Sequence, residues 1–141
     1  VARSILVIED QEQNLYLMKY LLSSHGYDVV TARDGEEGIQ TARTERPDLI
    51  LLDIQLPTMS GHDVARALQA DEELAAIPIV AVTSYAMPGD REEVMAAGCT
   101  GYIEKPIDPD TFIAQMASYL PSTAQRRKPS SRKQKEKGDE R

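Results

Sequence analysis

The stretch Asp48-Leu49-Ile50-Leu51-Leu52-Asp53 constrains the fold more than any other part of the chain. Four consecutive aliphatic residues between two aspartates leave no wet face, so the run reads as a strand buried on both sides. Burial of that kind belongs to parallel sheets, whose crossover helices cover both faces. Pro47 before the run and the turn residues Pro57 and Gly61 after it set its limits.

The same alternation of apolar runs and helical patterns extends along the chain. Ser4-Ile5-Leu6-Val7-Ile8 is a β-branched run ending in Glu9-Asp10, and Leu15, Met18, Leu21 and Leu22 then recur at helical spacing until Gly26. Residues 27–31 form a second, shorter strand. Asp34 can cap the next helix, which turns Ile39 and Ala42 inward. After the 48–53 run, Val64, Ala67 and Leu68 mark a third helix, and residues 77–82 a fourth strand with Pro78 near its start. A helix through Val94 and Met95 closes at Gly98, and residues 101–104 make a fifth strand. The last helix carries Phe112, Ile113, Met116 and Leu120 on one side before Pro121. Five strand–helix units with right-handed crossovers predict an α/β fold: a doubly wound, five-stranded parallel sheet in the flavodoxin-like order 2-1-3-4-5, with helices on both faces.

Composition sharpens this picture. The chain has no tryptophan and one phenylalanine, so aliphatic residues must build the core. The formal charge of −7 is unevenly spread. Residues 1–121 are strongly acidic and are expected to be the folded domain. Residues 122–141, rich in Lys and Arg with Ala124 as the one aliphatic residue, are expected to be a disordered basic tail. An acidic body is poorly suited to nucleic acid; only the tail has charge that could meet nucleic acid, an acidic partner or the body itself. The single cysteine, Cys99, excludes an internal disulfide and a cysteine-based zinc cluster. No apolar run reaches the roughly 20 residues of a membrane span, and no signal-peptide pattern opens the chain. The expected location is the cytoplasm.

In an open parallel sheet the chemistry sits outside the carboxyl ends of the strands. There the first strand offers Glu9 and Asp10, the third Asp53, the fourth Thr83 and Ser84, and the fifth Glu104, Lys105 and Pro106. Strands 1 and 3 are neighbours in the expected order, so their carboxylates converge. Two like charges 4 Å apart cost about 4 kcal/mol at an effective dielectric near 20. A cation is therefore expected among them. An oxygen-only donor set without a nearby His or Cys favours Mg²⁺ or Mn²⁺. An ion-pair network around Lys105 would explain any one acid, but four strand ends with complementary groups suit phosphoryl transfer better. Asp53 is then the nucleophile, with Thr83 as a hydrogen-bond donor and Lys105 as a counter-charge.

Glu9-Asp10, the stretch from Asp53 through Gly61 (DIQLPTMSG), Val82-Thr83 and Lys105-Pro106, in this order and spacing, resemble the receiver domain of two-component response regulators. The resemblance spans residues 3–120. Residues 48–61, 86–90 and 98–102 resemble DivK-type single-domain regulators in particular. The resemblance implies that Asp53 takes a phosphoryl group from a phosphohistidine on a sensor histidine kinase or phosphotransfer protein. It implies Mg²⁺ held by Asp10, Asp53 and the backbone carbonyl of Gln55, with Glu9 assisting through water. It also implies that Thr83 moves to meet the phosphoryl group, that Lys105 pairs with it, and that Tyr102 is the aromatic that turns inward. The Lys105–Pro106 bond is often cis in this family. Gln55 and Tyr85 flank the site and would tune the acyl-phosphate lifetime. The surface of helix 4, strand 5 and helix 5 would carry the output to a protein target, the molecule being a monomer or a weak homodimer.

Other classes fit less well. A haloacid-dehalogenase phosphatase needs a second carboxylate two residues after its nucleophile, where this chain has Gln55. A flavodoxin-like carrier needs a glycine- and hydroxyl-rich phosphate loop after strand 1, where this chain has Glu9-Asp10-Gln11-Glu12. A degenerate receiver acting as a phosphorylation-independent adaptor is the remaining alternative, disfavoured because every functional position is filled. His25 and His62 read as solvated or capping residues without partners, Cys99 as a small buried hydrophobe, and Met87, Met95 and Met116 as helical packing residues.

Overall fold

The computed structural model describes residues 2–84 and 87–121. The expectations placed on Tyr85 and on residues 122–141 lie outside the described residues. Five strands and five helices alternate: β1 (Ser4–Ile8), α1 (Glu12–Ser24), β2 (Asp28–Ala32), α2 (Gly35–Glu45), β3 (Leu49–Asp53), α3 (Gly61–Ala70), β4 (Ile79–Thr83), α4 (Pro88–Ala96), β5 (Gly101–Glu104) and α5 (Phe112–Ala117). The sheet is parallel throughout, in the order β2-β1-β3-β4-β5. This is the expected topology.

Side-chain alternation along the strands divides the core in two. Leu6, Ile8, Ile50, Leu52, Ile79 and Ala81 point to one face and pack beneath α2, α3 and α4 through Ala42, Val64, Leu68 and Val94. Ile5, Val7, Leu49, Leu51, Val80 and Val82 point to the other and meet Leu15, Met18 and Leu22 of α1 with Phe112 and Met116 of α5. Every residue of β3 and β4 is buried, as the continuous aliphatic runs require.

Local caps follow from single residues. Asp34 accepts the backbone N–H of Glu37 and so caps α2, while Ser60 accepts that of Asp63 at the start of α3. The N-terminus of α3 abuts the end of β3: a Cβ on Gly61 would stand 2.5 Å from the Ile54 Cα and 2.7 Å from the Asp53 carbonyl oxygen. Only glycine fits there.

Several expectations need correction. The fourth strand begins at Ile79 rather than at residue 77, because Pro78 lacks the N–H that a paired position would need. The last helix ends at Ala117; Leu120 still packs against the core, but from the turn that follows. Met116 is buried, whereas Met87, which precedes α4 in extended backbone, and Met95 on α4 are 70% and 48% exposed and are not packing residues. Val94 is the buried residue of that helix. His62 is not without a partner, since its Nε2 lies 3.9 Å from Glu93 across the α3–α4 contact. His25 caps α1, its Nδ1 lying 2.9 Å from the Leu21 carbonyl oxygen. Cys99 is buried, and burial pushes its thiol pKa up to about 11, so it behaves as a hydrophobe.

Candidate phosphoryl-acceptor site

Register alone brings the acids together. Ile8 pairs with Leu52, so the next residues, Glu9 and Asp53, stand at one level on adjacent strands. Both follow the alternation that turns Val7 and Leu51 toward α1 and α5. Glu9 is fully buried and Asp53 is 2% exposed. Asp10, two residues past the end of β1, offers a third oxygen, and one carboxylate oxygen from each of Glu9, Asp10 and Asp53 falls within 4.8 Å of the others.

Lys105 closes the cluster. Its Nζ lies 3.3 Å from a Glu9 oxygen and 3.4 Å from an Asp53 oxygen. Its backbone N–H donates to the Thr83 carbonyl at 2.9 Å, which fixes the end of β5 beside the end of β4. The Lys105–Pro106 bond is cis. Gln55 N–H donates to Asp53 Oδ1 at 2.9 Å, and the Ser84 hydroxyl donates to Gln55 Oε1 at 3.0 Å. The loops after β3 and β4 are thereby tied together beside Asp53. Thr83 is 2% exposed and borders a space of about 30 Å³ lined with Ile54, His62, Asp90, Glu93 and Val94. A space of that size holds about one water molecule.

One lysine does not satisfy three acids. Burial, with the Asp53 carboxylate beside it, raises the Glu9 pKa from its ordinary 4.5 to about 7; the Gln11 backbone N–H, which donates to Glu9 Oε2 at 3.1 Å, and the attraction of Lys105 offset only part of this. Glu9 Oε1, the oxygen that faces Lys105 Nζ at 3.3 Å, is buried and gains only that ion-pair contact, with no hydrogen bond. A buried oxygen of this kind, in a cluster of hard anionic donors, is what a divalent cation satisfies. The residues present fit Mg²⁺.

Tyr102 lies on β5 opposite Ala81, half-buried, on the face that α4 covers. Thr83 shares that face by alternation along β4. The expected site residues Glu9, Asp10, Asp53 and Lys105 therefore converge, with Gln55 at the rim; Thr83 and Tyr102 stand behind them on the opposite face. Three contacts had no sequence signal: the Ser84–Gln55 hydrogen bond, the His62–Glu93 pair and the placement of Arg91 over the Tyr102 ring. Each pairs side chains from different elements, and only tertiary packing chooses the partners.

A doubly wound sheet with this acid, hydroxyl and ammonium arrangement defines a receiver domain. Residues 5–117 match the response regulator receiver domain family, and the chain belongs to it. Among curated relatives it is similar to the polar-differentiation response regulator DivK of Brucella anthropi, 46% identical over 118 residues that cover 84% of this chain and 96% of that protein. DivK of Brucella ovis is 45% identical over 120 residues, 85% and 98% of the two chains. Among solved structures, the chemotaxis protein CheY4 of Vibrio cholerae superposes with a TM-score of 0.82 at 28% identity, covering 85% of this chain and all of that one. The receiver domain of the sensor histidine kinase PA1611 of Pseudomonas aeruginosa, with a magnesium ion coordinated in its active-site cleft, has a TM-score of 0.77 at 32% identity over 84% of this chain and 98% of that domain. No helix among the described residues is long and apolar enough to cross a membrane.

Proposed function

We propose that this receiver is a DivK-type response regulator that takes a phosphoryl group from a phosphohistidine onto Asp53. The observation that carries the reading is the buried Glu9–Asp53–Lys105 cluster with Asp10 at its edge. Asp10, Asp53 and the Gln55 carbonyl would hold Mg²⁺, with Glu9 assisting. The ion supplies charge neutralisation for the non-bridging phosphoryl oxygens. An Asp53 carboxylate oxygen attacks phosphorus in line, the P–N bond to the donor imidazole breaks, and the electron pair leaves with the ring nitrogen. Lys105 pairs with the phosphoryl oxygens and loses its present partner on Asp53.

Thr83 then donates its hydroxyl to the added group, and Tyr102 turns inward on the same face. This favours one of two loop arrangements and alters the surface of α4, β5 and α5 that a protein target reads. The donor is a sensor histidine kinase or a histidine phosphotransfer protein, working in the cytoplasm where phosphohistidine is made from ATP. The folded receiver is proposed to end at residue 121, leaving residues 122–141 as a basic tail.

Incubation with Mg²⁺ and acetyl phosphate, followed by intact-mass measurement, tests this. The expected result is one added phosphoryl group, stable in mild acid, lost in base or hydroxylamine, and absent in Asp53→Asn. An unlabelled wild type would favour the phosphorylation-independent adaptor instead.

A further inference from the structure

Arg91 lies on the exposed side of α4 with its guanidinium carbon 4.8 Å from the centroid of the Tyr102 ring. Acids surround it in sequence: Asp90, Glu92 and Glu93. Asp90 instead accepts the backbone N–H of Met87, and Glu93 faces His62. Among the described residues Arg91 makes no ion pair with an acid; its charge rests on the ring. A cation at this distance is attracted by the negative face of the aromatic.

We propose that Arg91 is a positioning residue that holds Tyr102 in its resting place and so sets how readily the molecule adopts the phosphoryl-bound arrangement. The inference rests on the reading of Asp53 as phosphoacceptor and Tyr102 as the moving aromatic. In the resting arrangement the guanidinium covers the ring; when the ring turns inward, the contact is broken. An interaction present in one state alone biases the equilibrium by its own strength. For a partly exposed cation–π pair this is about two- to fivefold. The apparent affinity for anything that binds the other state falls by the same factor when that state is minor.

The test is calorimetric titration of the full chain with beryllofluoride, a phosphoryl mimic that adds to a carboxylate, in saturating Mg²⁺. Arg91→Gln should bind about two- to fivefold more tightly than wild type, and Arg91→Lys, which keeps a cation, should remain closer to wild type. Arg66→Gln removes the same charge at an exposed α3 position and should leave the affinity unchanged. In a Tyr102→Leu background the effect of Arg91→Gln should disappear. An unchanged affinity in Arg91→Gln, or the same tightening without the ring, overturns the proposal. A wild type that binds no beryllofluoride overturns the phosphoacceptor reading itself, an outcome separate from the other two.

Discussion

At the scale of single residues, Glu9 shows how burial and chemistry meet. A carboxylate placed at the end of an apolar strand is desolvated, and burial rather than any partner dominates its raised pKa of about 7. The unfolded chain releases this proton near 4.5, so between about 4.5 and 7 the folded form binds more protons than the unfolded one. Stability from this group is therefore greatest below 4.5 and is lost as pH rises toward 7. Without metal, urea unfolding of wild type should show a stability that falls from pH 4.5 to 7 relative to Glu9→Gln. An unchanged difference across that range would contradict the assignment. The acids, Thr83 and Lys105 were legible in the sequence because strand ends are fixed by chain order. The ring contact of Arg91 was not, since α4 could present that side chain to any of three neighbouring acids, and only tertiary packing decides among them.

At the scale of elements, β3 and α3 are coupled through one missing methyl group. Gly61 lets the helix start against Asp53 and Ile54, and the atoms a Cβ would meet include backbone that cannot turn away. Gly61→Ala should destabilise the fold by about 1–3 kcal/mol, the usual cost of overpacking, with the denaturant midpoint lowered at nearly constant slope. It should also weaken Mg²⁺ binding, because the Gln55 carbonyl lies in the loop that must shift. A wild-type midpoint would show that α3 can move off β3 at no cost. The apolar runs predicted each strand because alternation and burial act over four or five residues. Helix ends were less legible: the 112–120 pattern carried apolar spacing past the point where the backbone leaves the helix, and Leu120 reaches the core from a turn. Exposed Met95 shows the converse, an apolar residue at a helical position that faces away from the core.

At the scale of the whole molecule, the sheet order does the assembling. Placing β3 between β1 and β4 brings the acids at two strand ends together with the ammonium that follows β5, while the hydroxyl at the end of β4 stands on the opposite face. Topology was legible because buried parallel strands with right-handed crossovers admit few arrangements. The electrostatic cost of this assembly is spread over the native state alone, so a divalent cation should stabilise it by mass action. Millimolar Mg²⁺ should raise the melting temperature, and a chelator should reverse the rise. At 100 times the dissociation constant the gain is about 2.7 kcal/mol. Asp10→Asn should remove most of it. An equal rise in that variant would place the ion elsewhere.

Borohydride trapping reads directly whether Asp53 itself carries the transferred group. Borohydride reduces an aspartyl phosphate to homoserine, so peptide mass spectrometry after treatment with acetyl phosphate identifies the residue. Homoserine is expected at position 53, formed only when Mg²⁺ is present. Homoserine at Asp10 or any other aspartate, or equal yield with and without the metal, would contradict it.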